Sequence, residues 1–418
     1  MMEGWKLPEG WDFATLSEPK VRILSGFSCA RKNVVSEGLL HLRPFNIGIN
    51  GEIDLSNCLY IPEGFVNNPT DFWLESGDIL FNNTNSVELV GKSAIVRTNL
   101  PCAFSNHLTR IRVIDRDYLE PQWILVFLRY LWQTGFFAAH CNRWIGQAGY
   151  APSKLTELSL PRPPIAEQRR IVARLEALLG EVKALREQAQ TLRCDVNRLM
   201  ESALAEVFPE INTTFDTKHW TFVPVERICT KPQYGYTATS ETQPIGPKFL
   251  RITDIQDGNV NWDNVPYCRI SSKRIVNYLL SDGDILFARS GATTGKTYIV
   301  KNSPQAVFAS YLIRIRVTEP NLPEYVYWYF QSPQYWKQLT IRGGAQPNMN
   351  AQLLRKVLVP IPDPLDENNS LVEQRRIVAY LDGIQEEVRE AQKLLEADLR
   401  AIEQLEQSIL AAAFRGEI

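Results

Sequence analysis

The sequence predicts an α+β protein in which one plan, a globular domain followed by a long helix, occurs twice. The heptapeptide EQRRIVA is found at residues 167–173 and again at residues 373–379. Each copy opens a charged segment of about 44 residues with apolar residues at three- and four-residue steps, typical of a helix that packs along one stripe. Blocks of the preceding sequence also recur in the same order. We therefore expect two globular domains separated by two long antiparallel helices, a coiled coil with pseudo-twofold symmetry.

Composition sets the outer limits of this prediction. The chain has 418 residues, of which 44% are hydrophobic and 22% charged, enough for two or three domains with hydrophobic cores. It has no apolar run of membrane-spanning length, and its start resembles no targeting signal. The 7 cysteines lie singly and the 4 histidines are scattered. We therefore expect a cytoplasmic protein with reduced cysteines, no metal site, no cofactor and no membrane partner.

The globular segments repeat in short blocks. ESGDILF from Glu75 matches SDGDILF from Ser281, and HLTRIRV from His107 matches YLIRIRV from Tyr311. A weaker match joins the segment around Trp11 to that around Trp220. Apolar or alternating runs bounded by Gly, Pro or Asn predict strands, and this pattern occurs three times in the first half. The predicted strands are Asp78–Phe81, Ala94–Arg97 and Thr109–Val113.

Two kinds of helix are predicted. Aromatic stretches at Pro121–Phe137 and Pro323–Leu339 have helical spacing and begin with proline. The long helices follow proline-rich hinges, which fix their direction of departure. Their predicted buried stripes match position by position, 206 residues apart. The first comprises Ile171, Leu175, Leu178, Val182, Leu185, Ala189, Leu192, Val196, Leu199 and Ala203. The second comprises Ile377, Leu381, Ile384, Val388, Ala391, Leu395, Asp398, Ile402, Leu405 and Ile409.

These patterns predict four segments. The first domain is expected at residues 1–160, with its hinge and long helix at 161–208; the second domain is expected at 209–360, with its hinge and helix at 361–418. The net charge is −2, but acidic residues concentrate in the last segment. The globular remainder is slightly basic, so a nucleic-acid partner is compatible with the charge. Asp398 interrupts the second stripe, where it either sets the register or faces solvent.

The chain resembles the specificity subunit of type I restriction-modification systems. The resemblance rests on the duplicated GDILF, the duplicated proline stretch before EQRRIVA, the paired long helices and the ending SILAAAFRGEI. It implies two target recognition domains that each recognise one half of a split, asymmetric DNA site. It also implies that the helices set the spacing and bind two methyltransferase subunits, with restriction/translocase subunits as further partners. Methyl transfer to adenine and ATP-driven cleavage would then belong to the partner subunits, and this chain would be non-catalytic.

Two sets of residues are candidates for DNA contact, since base recognition needs paired donors or acceptors on exposed loops. The first set is repeated between the halves, so its members could equally be shared scaffold: Arg43, Asn46, Arg251, Thr253 and Asp254. The second set lies in loops that differ between the halves, where a solvated loop is the alternative: Arg143, Gln147, Tyr150, Arg342, Gln346, Asn348 and Asn350.

Lys92 and Lys296, each after a glycine, are further candidates for phosphate contact. GATTGKT at residues 291–297 is one residue short of a phosphate-binding loop, and its counterpart at Val87–Ser93 lacks the first glycine. Two functions of other classes remain open from the residues alone. One is a nucleotide-binding enzyme with a duplicated domain that uses Lys296, and the other is a structural coiled-coil scaffold.

Overall fold

The computed structural model of the chain describes residues 7–17, 19–210, 220–256, 258–289, 294–342, 349–363 and 365–418. The predicted α+β fold with two domains is confirmed. The chain divides into two compact units, here called unit 1 (Met1–Ala189 with Ala397–Ile418) and unit 2 (Gln190–Glu396). Each unit therefore takes one globular domain and part of both long helices. None of the described helices combines the length and apolar composition that a membrane-spanning segment requires.

The globular part of unit 1 is built from twelve short strands and three helices among the described residues. The strands are β1 (Asp12–Thr15), β2 (Val21–Ser25), β3 (Leu39–Leu42), β4 (Tyr60–Ile61), β5 (Ile79–Asn82), β6 (Thr84–Asn85), β7 (Ser93–Ile95), β8 (Cys102–Phe104), β9 (Leu108–Val113), β10 (Asn142–Trp144), β11 (Gln147–Gly149) and β12 (Ser159–Arg162). The helices are α1 (Pro121–Gln133), α2 (Phe136–His140) and α3 (Pro152–Thr156). The first long helix, α4 (Ile165–Val207), follows.

The globular part of unit 2 follows a similar order, with ten strands and five helices among its described residues. Its strands are β13 (Trp220–Pro224), β14 (Gln233–Tyr234), β15 (Lys248–Leu250), β16 (Ile255–Gln256), β17 (Asn259–Val260), β18 (Ile285–Ala288), β19 (Thr297–Ile299), β20 (Ala306–Phe308), β21 (Leu312–Ile315) and β22 (Leu358–Pro362). Its helices are α5 (Val225–Ile228), α6 (Ser272–Tyr278), α7 (Pro323–Tyr329), α8 (Pro333–Arg342) and α9 (Ala351–Arg355). The second long helix, α10 (Glu367–Phe414), ends the fold.

The two globular parts share their sheet topology. An antiparallel sheet of order β2-β9-β5-β7 in unit 1 corresponds to β14-β21-β18-β19 in unit 2. The parallel pair β3–β8 corresponds to β15–β20. The antiparallel pair β1–β12, which joins the start of the domain to its proline hinge, corresponds to β13–β22. The three predicted strands of the first half are thus present as β5, β7 and β9, with ends shifted by one or two residues.

The two aromatic helices are present but broken. Residues predicted as one helix at 121–137 form α1 and α2, separated at Gly135 with φ +77°. Residues 323–339 likewise form α7 and α8, and the second of these begins at Pro333. A left-handed glycine and a proline both interrupt the helical hydrogen-bond ladder, which explains the breaks.

The repeated GDILF and RIRV blocks form a buried ion pair in each unit. Asp78 accepts hydrogen bonds from Arg112 at 2.7 Å from Nε and 2.6 Å from Nη2. Asp284 accepts from Arg316 Nε at 2.6 Å and from Arg314 Nη1 at 3.2 Å. Each carboxylate also accepts the backbone N–H three residues before it. Because a buried carboxylate is costly unless it is paired in this way, these blocks repeat as framework.

The repeated glutamine of EQRRIVA locks each hinge. Gln168 accepts the backbone N–H of Glu120 at 2.9 Å and donates to the carbonyls of Tyr118 and Pro163. Gln374 accepts the backbone N–H of Leu322 at 3.0 Å. Both glutamines are buried, and each satisfies a donor at the start of an aromatic helix, α1 or α7. The heptapeptide is therefore the joint between a globular domain and its long helix.

Within each unit, the start of one long helix runs antiparallel to the end of the other. In unit 1, Arg170 donates to the carbonyl of Ile418, and Arg186 donates to Glu406. In unit 2, Gln392 donates to Asn197, and the same core contains Leu204 and Ile377. An aromatic residue at the end of each long helix, Phe414 at the end of α10 and Phe208 directly after α4, packs against an aromatic helix. Phe414 packs on Trp123, and Phe208 packs on Tyr325.

A quarter of the predicted buried stripe is wrong, since five of its twenty positions are exposed. Val182, Val196 and Ala203 are buried as predicted, but Leu185, Leu192, Leu199 and Leu405 are exposed. Asp398 is also exposed, in agreement with the alternative that it faces solvent. At three of the exposed positions the inward-facing residue is the next one along the helix, so that the stripe there runs through half-buried Arg186 and Met200 and buried Glu406, two of which are polar. A search for apolar periodicity cannot find such a stripe.

Glu406 is the centre of a buried ionic cluster in unit 1. Its carboxylate accepts from Arg129 at 3.0 Å, from Gln133 at 2.7 Å and from Arg186 at 2.8 Å. Burial alone would raise the pKa of Glu406. The hydrogen bonds from Gln133 and Arg186 and the charges of both arginines outweigh burial and lower the pKa below its ordinary value. The cluster ties α1 to α4 and α10.

Candidate nucleic-acid interface

The repeated candidate set proves to be largely scaffold. Asn46 is 1% exposed, and its side chain bonds the backbone of Arg43, Asp54 and Asn57. Asp254 likewise bonds the backbone N–H and the guanidinium of Arg251. This geometry argues against a DNA contact by Asn46, because every hydrogen-bonding group of its amide is used internally.

The other members of that set differ in exposure. Arg43 donates to the carbonyl of Cys29 and is half-buried, and Arg251 is held by Asp254. Thr253 is exposed in the short turn between Arg251 and Asp254. Arg43 and Arg251 each stand at the N-cap of a single-turn helix, at equivalent places in the two units. The alternative of shared scaffold is therefore favoured for Arg43, Arg251 and Asp254.

Lys92 and Lys296 occupy equivalent turns between antiparallel strands. The carbonyl of Lys92 accepts from Asn82 N, and that of Lys296 accepts from Ala288 N, each at 2.9 Å. Lys296 is exposed, whereas Lys92 is half-buried, and burial lowers its pKa. The two lysines remain candidates for phosphate contact.

The glycine before each lysine is required by packing. Gly91 and Gly295 have φ values of +93° and +84°. A Cβ at Gly91 would lie 2.2 Å from Cδ2 of Phe137. The described part of the turn at residues 294–297 leads into strand β19, whereas a phosphate-binding loop leads into a helix. This geometry argues against the nucleotide-binding alternative; residues 291–293 lie outside the described residues.

The variable loop of unit 1 is the β10–β11 hairpin. Arg143 pairs with Ala148 across the hairpin, and Trp144 pairs with Gln147. Gln147 is exposed, and Arg143 donates to the carbonyl of Ala138. Tyr150, by contrast, is 2% exposed and packs against aromatic rings of the core. This burial argues against a DNA contact by Tyr150, because its ring anchors the base of the hairpin.

The corresponding loop of unit 2 is only partly described. Arg342 is the last residue of α8, and Gln346 and Asn348 lie outside the described residues. Asn350 caps α9, since its side chain accepts the backbone N–H of Leu353 at 2.9 Å. A capping role accounts for Asn350 without a DNA contact.

Both variable loops return to the same place on the framework. Tyr150 N donates to the carbonyl of Asn83 at 2.8 Å, and Met349 N donates to the carbonyl of Arg289 at 3.0 Å. Asn83 N and Arg289 N in turn donate to the carbonyls of His107 and Tyr311, each at 3.0 Å. These backbone bonds make Asn83 equivalent to Arg289, and His107 equivalent to Tyr311.

The side chains at these equivalent positions differ in chemistry. In unit 2, the exposed guanidinium of Arg289 lies 5.0 Å from the ring centroid of Tyr234, and Tyr311 is 61% exposed. Tyr234 is itself fixed, because its hydroxyl accepts from Ala351 N at 3.1 Å. The ring therefore orients a planar guanidinium toward solvent.

Unit 1 has small polar groups in the same positions. Asn83 is buried and donates to Thr109 Oγ1 at 2.8 Å, and Ser25 Oγ lies 3.5 Å from the same hydroxyl. Sequence reasoning missed Arg289, Tyr234 and Tyr311 because they are far apart in the chain. The adjacent GDILF and RIRV blocks were the available signal, since Arg289 and Tyr311 border them.

Metal and thiol chemistry receive no support from the described part of the chain. It contains no group of three or more His, Cys, Asp or Glu side chains able to hold a metal ion. Burial raises the pKa of the Cys102 thiol to about 12 and that of Cys268 to about 11, so neither is a reactive thiolate at neutral pH.

Comparison with known proteins agrees with this architecture. The family described as "Type I restriction modification DNA specificity domain" matches residues 218–397. The EcoKI specificity subunit of Escherichia coli K12 is 24% identical over 100% of this chain and 91% of that protein. The StySPI specificity subunit of Salmonella potsdam is 23% identical over the same shares.

Two solved structures share the fold. A chain of a type I restriction-modification system, from a structure describing complex assembly and conformational transition, has a TM-score of 0.79 at 24% identity, covering 99% of this chain and 100% of that chain. The HsdS subunit of Thermoanaerobacter tengcongensis has a TM-score of 0.57 at 25% identity, with 100% of both chains covered. The duplicated domain-and-helix plan, the family match over residues 218–397 and these relatives agree, and over its whole length the chain is similar to the specificity subunits of type I restriction-modification systems.

Proposed function

We propose that this chain supplies the DNA sequence specificity of a type I restriction-modification complex, each unit recognising one half of a split, asymmetric site. The observation that carries the proposal is the difference in side chains at equivalent framework positions. Arg289 beside Tyr234 presents the fork geometry that pairs with guanine O6 and N7 in the major groove. Unit 1 has a buried Asn83 there and an exposed hairpin next to it, so the two half-sites are expected to differ.

The direct test is methylation-sensitive sequencing of host DNA with and without this chain. The proposal predicts a methylated motif of two different short half-sites separated by an unspecified spacer. A continuous motif, or no change in methylation when the partner methyltransferase is present, would contradict it.

The long helices are proposed to bind two methyltransferase subunits, which would carry out methyl transfer to adenine. Exposed leucines on the helices support this role. Unit 1 exposes Leu185 and Leu405, and unit 2 exposes Leu192, Leu199 and Leu394. Solvent-exposed leucines repeated along a helix are typical of a surface that a partner covers. The ATP-driven subunits would join the same complex, leaving this chain non-catalytic.

Mass measurement of the co-expressed complex tests this assignment. Two methyltransferase copies are expected for the wild type, and Leu192→Glu with Leu199→Glu should lower that number. Replacement of the equally exposed polar residues Arg198 and Glu201 by alanine is the control. A single copy in the wild type at saturating concentration would contradict the proposal.

We further propose that the helices set the distance between the half-sites. Copying Ala184–Gln190 after Gln190 and Glu390–Glu396 after Glu396 adds one heptad to each helix and about 10 Å of length. The unspecified spacer should then grow by up to about three base pairs while both half-sites stay the same. Insertions of four residues rotate the stripe and should abolish assembly. An active heptad variant with an unchanged spacer would show that another element sets the distance.

A further inference from the structure

The tip of the β10–β11 hairpin exposes apolar side chains. Ile145 is fully exposed and Trp144 is 59% exposed. The turn between the strands contains only Ile145 and Gly146, whose φ is +78°. Such tight turns ordinarily carry Gly, Asn, Asp or Ser, so the conformation explains the glycine but not the isoleucine.

The hairpin is fixed at its base. Ala148 is buried and pairs with Asn85 of β6, which makes β11 the central strand of a three-stranded sheet. Arg143 donates to the carbonyl of Ala138 at 2.9 Å, and Tyr150 N bonds the carbonyl of Asn83. The tip is thus held in place before any partner binds, which lowers the entropic cost of inserting it.

Trp144 lies against the neighbouring strand. A Cβ on Gly149 would come within 2.9 Å of Cζ3 of Trp144, so the indole packs directly over the glycine backbone. This contact gives the exposed ring a defined position beside Ile145. The two side chains together form a rigid apolar wedge, defined here as Trp144 and Ile145.

The surroundings of this wedge favour nucleic acid as its partner. The hairpin also presents the exposed polar side chains of Asn142, Arg143 and Gln147, and Glu88 is the acidic neighbour of Arg143. A convex apolar tip with polar, hydrogen-bonding flanks suits a groove with stacked bases at its floor and polar edges along its walls. An apolar protein pocket would leave those flanking amides and the remaining donors of the guanidinium without partners.

We propose that the wedge inserts Ile145 between two base pairs of the half-site recognised by unit 1, with Trp144 supporting it, and kinks the duplex. This rests on the proposed function. Insertion of a side chain partly unstacks one step, and the cost of doing so depends on sequence, being lowest at pyrimidine–purine steps. The wedge therefore contributes specificity at a step where no base edge need be hydrogen-bonded.

The test uses the full chain in complex with its methyltransferase subunits and duplexes that carry 2-aminopurine at successive positions of the half-site. The wild type should raise 2-aminopurine fluorescence at one step, and Ile145→Ser should abolish that rise and weaken binding about 10- to 100-fold. The matched control is Ile49→Ser, since Ile49 is a 70% exposed isoleucine of the same unit. A mismatch that unstacks the step in advance should restore the affinity of the Ile145→Ser complex.

Each outcome decides the proposal. Unchanged fluorescence and affinity in Ile145→Ser would overturn it, as would loss of methyltransferase from the purified complex with DNA contact intact, because the tip would then be a protein contact. Failure of the proposed function looks different: the wild-type complex itself would then bind without sequence preference. Because Ile145 contacts solvent only, thermal unfolding of the variant should match the wild type.

Discussion

Units 1 and 2 share their internal hydrogen bonds and differ where those bonds present side chains to solvent. The Asp78–Arg112 pair has its counterpart in Asp284–Arg316, and Gln168 has its counterpart in Gln374. Yet Asn83 is buried in unit 1 where unit 2 exposes Arg289. Residues that repeat therefore hold the framework, and residues at framework positions that do not repeat are the ones that we propose to carry the specificity.

A second difference lies at the helices. The position of Glu406 in unit 1 corresponds to Met200 in unit 2, and that of Arg186 corresponds to Gln392. Unit 1 thus fastens its domain to the helices by a buried ionic cluster, whereas unit 2 uses an apolar contact. The same backbone arrangement accommodates both because a satisfied ion pair and a packed methionine can fill similar volumes.

Breaking the ionic cluster should have the largest effect on stability. Glu406→Ala leaves Arg129 buried without a carboxylate and should destabilise unit 1 by about 3–5 kcal/mol. Met200→Ala in unit 2 removes a partly buried side chain and should cost about 1 kcal/mol. Hydrogen exchange of peptides from each unit measures the two effects separately. Glu403→Ala, at an exposed position of the same helix, is the control; equal losses for Glu406 and Glu403 would contradict the account.

The same cluster should make unit 1 more acid-sensitive than unit 2. The folded pKa of Glu406 is lowered below its ordinary value of 4.5. Its contribution to stability is therefore fully present above about pH 4.5 and is lost as pH falls through the lower, folded pKa. Glu406→Gln should flatten this part of the pH profile of unit 1. A profile identical to that of the wild type would show that Glu406 does not titrate with folding.

Substitution of the hinge glutamines should lower the stability of the two units by similar amounts. Gln168→Leu and Gln374→Leu each leave a buried backbone N–H without its acceptor, at about 1–3 kcal/mol. Arg174→Ala and Arg375→Ala, at exposed positions of the same helices, serve as controls. Denaturant unfolding followed by unit-specific exchange gives both values. A large loss in one unit only would show that the repeated motif has different roles in the two halves.

Substitution of Arg289 should have the smallest effect on stability but should change the DNA specificity. Arg289→Ala should relax one base position in the half-site of unit 2 by about 1–3 kcal/mol of discrimination, with little effect on folding. Arg289→Lys keeps the charge but loses the fork, so it should retain affinity and lose discrimination. Competition binding with single-base variants of the half-site measures both. Loss of discrimination in the other half-site, the one attributed to unit 1, would contradict the assignment of the half-sites to the two units.

The sequence predicted the duplicated plan, the strands around GDILF and RIRV and the extent of the long helices, because each depends on local pattern. It also assigned Leu185, Leu192 and Leu199 to the buried stripe, wrongly. The spacing of apolar residues alone cannot distinguish a helix face that packs inward through Arg186 or Glu406 from the apolar face beside it. The face that packs inward is decided by contacts between polar side chains far apart in the chain, such as Arg186 with Glu406.

The candidate interface was less predictable for the same reason. Tyr150 and Asn46 have side chains suited to base recognition. In the fold, however, the ring of Tyr150 packs in the core, and the amide of Asn46 hydrogen-bonds the backbone of a turn. Arg289 and Tyr234 are 55 residues apart, and only the pairing of β14 with β21 and of β18 with β21 brings them together. Equivalence between units, once the backbone bonds are known, identifies such positions.

Exchange of one recognition domain tests the central claim most directly. Residues 1–150 would be replaced by the corresponding residues of another family member with a different motif, and host DNA would then be sequenced for methylation. Independent recognition by two units predicts that one half-site changes while the other half-site and the spacer are retained. A change in both half-sites would contradict it, since the framework would then not separate the two recognition surfaces.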